Sequence, residues 1–433
     1  MSKENIAWVK DAVFYHIYPL GMTGAPDYHE GEKTKGNRIL QVLDWIPHLK
    51  ELGVNAIYFG PIFQSVAHGY DTSNYYETDM RLGSKEDFKH VFEELKKNGM
   101  RIVLDGVFNH VGRGFWAFND VQAKGQNSPY VNWFYNLNFH EKSPAGDNFS
   151  YEMWEGNGDL VKLNLKNQDV INHLLSAVGM WMEEFDIDGL RLDAADCVDS
   201  DFFKLLHNYT KERKPDFWLM GEIIHGDYRT WANDTMLDST TNYECFKGIY
   251  SSHNDKNYFE IAYSLKRQFG DGGIYKHLDL YNFLDNHDVN RVASLLHNKQ
   301  DLKNVYTLLF TMPGVPSVYY GSEFGISGEK TQGFGADKPV RPALHISDSF
   351  ERDEKLLEHI KKLSALRKSS DALKYGDYEE VLVSNEYFVF ARNYKKETKL
   401  VVLNCSDTEK MVQFRYGNQD YQLRMMAHSS YIK

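Results

Sequence analysis

Short apolar runs alternate with longer amphipathic ones along most of the chain. Residues 12–18 read as a strand, after which Ile39, Leu40, Leu43, Ile46, Leu49 and Leu52 recur at helical spacing until Gly53 interrupts them. Residues 54–59 give a second strand and residues 85–98 a second helix, with Ser84 and Asp87 spaced as a capping box and Gly99 at the end. A third strand covers residues 101–105. The alternation then pauses for about 55 residues rich in Gly, Asn and aromatics, a length that marks a functional segment or a small inserted domain.

The pattern resumes with Val170, Ile171, Leu174, Leu175, Val178, Trp181, Met182 and Phe185 on one helical face, followed by a strand at 188–192. Next come a helix at 202–211, a strand at 217–220, a sixth unit within 236–250, and a seventh strand at 278–284. A helix at 302–311, an eighth strand at 315–319 and a helix at 351–366 complete the series. Eight strand-then-helix units are what a (β/α)8 TIM barrel requires, and a doubly wound sheet is the competing use of the same alternation. From residue 371 the texture changes to short β-type runs at 381–383, 387–391, 400–403 and 421–425, separated by polar turns. The predicted architecture is α/β: a barrel over 1–111 and 166–370, an insertion after the third strand at 112–165, and a C-terminal antiparallel β-domain at 371–433.

Composition narrows the function. The 433 residues carry 61 Asp plus Glu against 49 Lys plus Arg, a formal charge of −12, so nucleic acid is excluded as a partner on electrostatic grounds. No apolar run reaches the ~18 residues a membrane span needs. Cys197, Cys245 and Cys405 are widely spaced and form no metal or disulfide pattern. With no apolar leader at the N-terminus, a cytoplasmic location is expected. Aromatic residues make up 14%, an excess that calls for a large core or for faces that stack on ligands.

The acids at the strand ends carry the chemistry. Asp105, Asp193, Glu222 and Asp288 end or follow the third, fourth, fifth and seventh strands, the end of a barrel where active sites lie. Asp193 and Glu222 are 29 residues apart and Glu222 and Asp288 are 66 apart, close to one and two repeats of about 31 in a ~250-residue barrel. All four are therefore expected at one mouth. Converging carboxylates without a Ser or Cys nucleophile motif suit glycoside hydrolysis, which needs one protonated carboxyl and one carboxylate. Arg191 shares its side-chain direction with Asp193 and is expected to hold it ionised as nucleophile. Glu222, behind the apolar Trp218, Leu219 and Met220, is expected to be the acid/base.

These stretches also resemble a known family. Asp105-Gly-Val-Phe-Asn109-His110, Gly189-Leu-Arg191-Leu-Asp193, Gly221-Glu222-Ile and Phe283-Leu-Asp-Asn-His287-Asp288 are similar, in order, to the four conserved regions of the alpha-amylase family of glycoside hydrolases. His68-Gly-Tyr70 and Gly314-Val-Pro316-Ser-Val-Tyr319-Tyr-Gly321 match two further stretches. The resemblance implies a retaining mechanism with Asp193 as nucleophile, Glu222 as acid/base and Asp288 as the carboxylate that binds sugar hydroxyls and favours the distorted transition state. It also implies that Tyr70 stacks on the sugar, while His68, His110, Arg191 and His287 bind hydroxyls or orient the nucleophile.

Within that family, Leu160-Val-Lys-Leu-Asn164 and Gly221-Glu-Ile-Ile-His225 are similar to stretches of the neopullulanase and cyclomaltodextrinase group. Asp196-Cys197 departs both from the Lys-His pair of many secreted alpha-amylases and from the Glu of the neopullulanase group. The expected activity is cleavage of α-1,4 links in maltodextrins. The alternatives are a cyclomaltodextrinase or neopullulanase, or a 4-alpha-glucanotransferase using the same intermediate. The expected partner is an α-glucan oligosaccharide or polysaccharide, and a monomer is expected because the chain starts at the barrel. No metal is expected to be required; Asn109 is the one residue placed to offer calcium an oxygen, where a hard cation takes about six or more. Trp8, Trp45 and Trp181 are expected in the core, and Trp116, Trp133 and Trp154 on a sugar-stacking rim.

Overall fold

The computed structural model describes residues 6–333 and 335–433. Eight parallel strands, Phe14–Ile17, Ala56–Phe59, Arg101–Gly106, Gly189–Leu192, Trp218–Gly221, Ser239–Thr240, Tyr281–Phe283 and Val315–Tyr319, pair in sequence order, and the first also pairs with the eighth. The sixth and seventh strands meet through one parallel bridge between Thr241 and Tyr281, and this closes the sheet into a barrel. The backbone N–H of Asn242 donates to Tyr281 O at 2.9 Å across that seam. Its carboxamide donates to Asn282 Oδ1 at 2.8 Å and Gln268 Oε1 at 3.0 Å, so buried side-chain amides complete a pairing that a two-residue strand cannot supply.

Phe14, Tyr58, Val103, Trp218, Met220, Phe283 and Val315 fill the interior in one apolar cluster, a packed core rather than a pore. The outer helices bury one face each. Helix Lys85–Lys97 starts at Ser84, whose hydroxyl and Asp87 complete the capping box, and ends before Gly99, whose φ of 80° only glycine adopts without strain. Trp45 and Trp181 are fully buried between helices and barrel, while Trp8 is half-buried against Trp218.

The helix expected at Ile39 begins as a 3-10 turn, Arg38–Gln41, and becomes α-helical over Val42–Glu51. The sixth unit carries two helices, Tyr243–Asn254 and Phe259–Phe269, where one was read. Between the third strand and helix Gln168–Phe185, the segment His110–Gly112 pairs with Leu160–Lys162, and helix Trp116–Lys124 packs beside that pair.

After helix Glu354–Ser369 the chain forms a four-stranded antiparallel sheet from Asp377–Val383, Tyr387–Tyr394, Glu397–Asn404 and Ser429–Ile432, with a hairpin of Lys410–Tyr416 and Gln419–Met425. Arg367 and Arg392, both about 1% exposed, join this sheet to the barrel. Arg367 donates to the carbonyls of Gly314 at 2.7 Å and Leu373 at 2.9 Å, and Arg392 to those of Thr311 at 2.6 Å and Gly376 at 2.8 Å. One of these acceptors, Thr311 O, lies at the end of helix Leu302–Thr311, where carbonyls lack partners and the helix dipole favours a cation. Among the described residues no helix is long and apolar enough to cross a membrane.

Candidate active site

Strand register sets the site. In the parallel ladder Asp105 lies opposite Arg191, and Arg191 opposite Met220. Asp193 follows one residue past the fourth strand and Glu222 directly follows the fifth, and their backbone N–H groups bond Gly106 O at 3.1 Å and Leu192 O at 2.9 Å. Both carboxylates therefore emerge at one level at the C-terminal end of the barrel. Ala194, next after Asp193, holds left-handed backbone at φ 42°, a strained conformation for a residue with a Cβ, and its N–H points to Glu222 Oε2 at 3.3 Å.

One guanidinium joins three acids. Arg191, 3% exposed, reaches Asp193 Oδ1 at 2.8 Å and Asp105 Oδ1 at 2.9 Å through Nη1, and Glu222 Oε2 at 2.7 Å through Nη2. The cation expected to hold Asp193 ionised is thus divided among three carboxylates. Burial pushes the Asp193 carboxyl well above the usual carboxylate range, and the charges of Glu222, Asp105 and Asp288 add to that against the opposing Arg191. Glu222 Oε1 accepts from the Tyr243 hydroxyl at 3.3 Å, and Asn286 donates to that same hydroxyl at 3.1 Å.

Asp288 has the opposite electrostatics. Burial would raise it, but His287, with Nε2 at 2.9 Å, then Arg341 and Arg191 outweigh burial and hold the carboxyl below its ordinary range. Arg341 is fixed by Asp288 Oδ1 and His287 O at 2.9 and 2.8 Å and lies over the Tyr18 ring. The Tyr70 ring is parallel to His287, and its hydroxyl contacts His287 Nε2 and donates to Asp105 Oδ2 at 2.9 Å.

His110 places Nε2 3.8 Å from Asp193 Oδ2; burial, aided by His68, pulls its pKa down to about 3, so it faces that carboxyl as a neutral ring. His68 lies further out, with Nδ1 accepting from the Tyr70 N–H at 3.2 Å. These groups line, or lie just beneath, a cleft of about 1120 Å³, above the ~300–1,000 Å³ of pockets for drug-sized ligands and suited to an oligosaccharide.

All eight residues proposed from the sequence gather here: His68, Tyr70, His110, Asp193, Glu222 and Asp288 border the cleft, and Arg191 and His287 support it from below. Of the three rim tryptophans only Trp154 lines the cleft, stacked on His110 at 5.2 Å. Trp116 and Trp133 pack with Tyr130 and His173 in a separate aromatic cluster. Sequence reasoning missed Arg341, Tyr18 and Tyr243. Tyr18 and Tyr243 follow barrel strands, the signal that revealed the acids, whereas Arg341 stands in a loop without periodicity.

The Asn109 carboxamide oxygen is buried without a hydrogen-bond partner. Among the described residues no three acidic, His or Cys side chains gather to hold a metal. All three cysteines are free thiols, Cys197 on the cleft wall and Cys245 and Cys405 buried.

Residues 34–342 match the family described as "Alpha amylase, catalytic domain". The chain belongs to the alpha-amylase family. Among curated family members, a cyclomaltodextrinase of Geobacillus thermopakistaniensis (strain MAS1) is 31% identical over 422 residues, covering 92% of this chain and 70% of that protein. Two solved structures match nearly end to end. The cyclic alpha-maltosyl-(1→6)-maltose hydrolase from Arthrobacter globiformis has a TM-score of 0.85 at 26% identity and covers 98% of both chains. A debranching enzyme from Nostoc punctiforme has a TM-score of 0.84 at 26% identity, covering 100% of this chain and 99% of the other. The chain is a retaining glucan hydrolase of the cyclomaltodextrinase and neopullulanase-like branch of the alpha-amylase family, and that alternative is better supported than a plain alpha-amylase.

Proposed function

We propose that the enzyme hydrolyses short α-glucan oligosaccharides of the maltodextrin type by double displacement, with Asp193 as nucleophile and Glu222 as acid/base. The observation that carries this reading is the bridge of Arg191 between Asp193 and Glu222. A single guanidinium contacts both carboxylates and holds them as one pair at the mouth, which supports a double displacement in which one forms the ester and the other carries the proton. Asp193 attacks the anomeric carbon while Glu222 protonates the departing glycosidic oxygen. The resulting glycosyl ester is opened by water, whose proton returns to Glu222. Asp288, held ionised by His287 and Arg341, binds ring hydroxyls and resists their loss as the sugar flattens. Tyr70 and Trp154 offer aromatic faces to the sugar.

The relatives' names describe rings, α-1,6 links and branch points, which supports short oligosaccharides with mixed linkages over long starch chains. The test is hydrolysis of maltoheptaose and pullulan followed by NMR. Release of the α-anomer first, with a fluorosugar trapped as an ester on Asp193, is the expected result. A β-anomer first, or full activity of Asp193→Asn, would contradict it. Products longer than the substrate, formed without new reducing ends, would assign transfer instead.

A further inference from the structure

The two oxygens of Glu222 have different neighbours. Oε2 meets Arg191 Nη2 at 2.7 Å and the Ala194 N–H at 3.3 Å, two groups that only donate. Oε1 meets the Tyr243 hydroxyl at 3.3 Å, a group that can donate or accept. With two donors on the lone pairs of Oε2, a proton on this carboxyl has its place on Oε1.

Asn286 decides which way the Tyr243 hydroxyl points. The two ends of a carboxamide are told apart by their hydrogen bonds, and here the backbone N–H of Asp288 donates to Oδ1 at 2.8 Å, which makes the other end the amide nitrogen. That nitrogen donates to the Tyr243 oxygen at 3.1 Å. The oxygen is thereby engaged as an acceptor, and its own proton is left for Glu222 Oε1. The ring is held edge-on to Phe283 and Phe246, with centroids 4.9 and 6.0 Å away.

With Glu222 as the acid/base, an assignment on which this step rests, we infer that Tyr243 is a positioning residue for the proton transfer. Its hydroxyl, aimed by Asn286, makes Oε1 the oxygen that carries the proton and donates to that oxygen once the proton has gone. In the first displacement the Oε1 proton moves to the glycosidic oxygen as the bond from that oxygen to the anomeric carbon breaks and Asp193 closes the ester. The electron pair of the O–H bond stays on Oε1, where the Tyr243 proton meets the new charge. In the second displacement a water oxygen replaces the ester at the anomeric carbon, and its proton passes to Oε1.

The test compares kcat/KM of the purified enzyme on maltoheptaose, whose departing sugar needs a proton, and on α-maltosyl fluoride, whose fluoride leaves with little help. Tyr243→Phe removes one oxygen and keeps the ring. Its loss is expected to be about tenfold greater on maltoheptaose than on the fluoride, a fraction of the ~10²–10⁴-fold that general acid–base catalysis supplies. Asn286→Asp still accepts from the Asp288 N–H but has no amide to donate, so the Tyr243 proton turns toward the new carboxylate. The same split is expected, with the hydroxyl in place. Glu222→Gln is the control, with a loss about 100-fold greater on maltoheptaose than on the fluoride. If Glu222→Gln splits the substrates while Tyr243→Phe slows both alike or neither, the role of the hydroxyl is overturned and Glu222 stands as acid/base. A split in Tyr243→Phe without one in Asn286→Asp would overturn the aiming by Asn286. No split in Glu222→Gln would overturn the acid/base assignment itself.

Discussion

Asp105 faces Arg191 across two neighbouring parallel strands, and both of its oxygens accept from Nη1 of the guanidinium, at 2.9 and 3.1 Å. Asp105 Oδ2 also accepts from the hydroxyls of Tyr58 at 2.7 Å and Tyr70 at 2.9 Å. Of the four acids expected at the mouth, Asp105 thus works beneath the cleft, as the anchor that aims Arg191 and Tyr70. Asp105→Asn keeps the volume but gives up charge-assisted acceptance, and kcat is expected to fall about 100-fold with KM little changed, since positioning is lost rather than binding. Steady-state kinetics on maltoheptaose beside an unchanged circular dichroism spectrum check this.

The raised carboxyl of Asp193 ties activity and stability to pH in opposite directions. As the proposed nucleophile it must be ionised, so the acid limb of kcat/KM is expected above the usual carboxylate value of about 3.9. For stability, a carboxyl whose folded pKa is raised favours the fold below its unfolded pKa and loses that contribution as pH rises through the folded one. Asp193→Asn never ionises. It is expected to melt roughly 1–2 °C higher than the native enzyme at pH 7, with the difference vanishing near pH 4. Melting curves at the two pH values measure it, and an unchanged difference at pH 4 would contradict the electrostatic origin.

Trp154 and Trp116 are both partly exposed tryptophans of the inserted segment, but only the first borders the cleft. Trp154→Ala is expected to raise KM about tenfold, the ~0.5–1.5 kcal/mol of one ring–ring stacking contact being taken as the scale for ring–sugar stacking. Trp116→Ala leaves KM where it was. Titration of intrinsic fluorescence with maltotetraose gives an independent reading, because Trp154 alone should report saturation.

Arg367 bonds four carbonyls from three stretches of the chain, at Lys10, at Phe310 and Gly314, and at Leu373. Arg367→Ala strands these acceptors in a buried place and is expected to cost about 3 kcal/mol or more of stability, with the C-terminal sheet loosened first. Arg367→Lys recovers only part, since an ammonium cannot span the fork. Urea denaturation with hydrogen exchange across residues 377–432 tests both.

Most of the barrel was legible because its strands are short apolar runs closed by a turn or by an acid, as at Arg101–Gly106 and Val315–Tyr319, whereas the sixth, Ser239–Thr240, holds no apolar residue and shows only as a unit without sharp bounds. Helix Leu302–Thr311 came through to the residue, its apolar Leu302, Val305, Leu308, Leu309 and Phe310 recurring at helical spacing. Lys410–Tyr416 and Ser429–Ile432 did not come through, since a half-exposed strand carries too few apolar residues to stand out. The catalytic acids were legible for the reason the barrel was: they mark where apolar runs stop. Periodicity says nothing about which of three carboxylates owns a shared cation, or which aromatic in a long insertion turns toward a cleft. Arg191 and Trp116 therefore had to be seen in three dimensions.

The seam between the sixth and seventh strands rests on one backbone bridge and a trio of amides, Asn242, Asn282 and Gln268. Breathing of the barrel is cheapest where the fewest ladder bonds must part. Tyr243, one residue beyond Asn242, carries the hydroxyl that meets Glu222, and Asn286 reaches the same hydroxyl from the far side of the seam. Glu222, the proposed proton donor, is therefore coupled to the joint with the fewest ladder bonds in the barrel. Heat would unfasten catalysis there before it melts the fold.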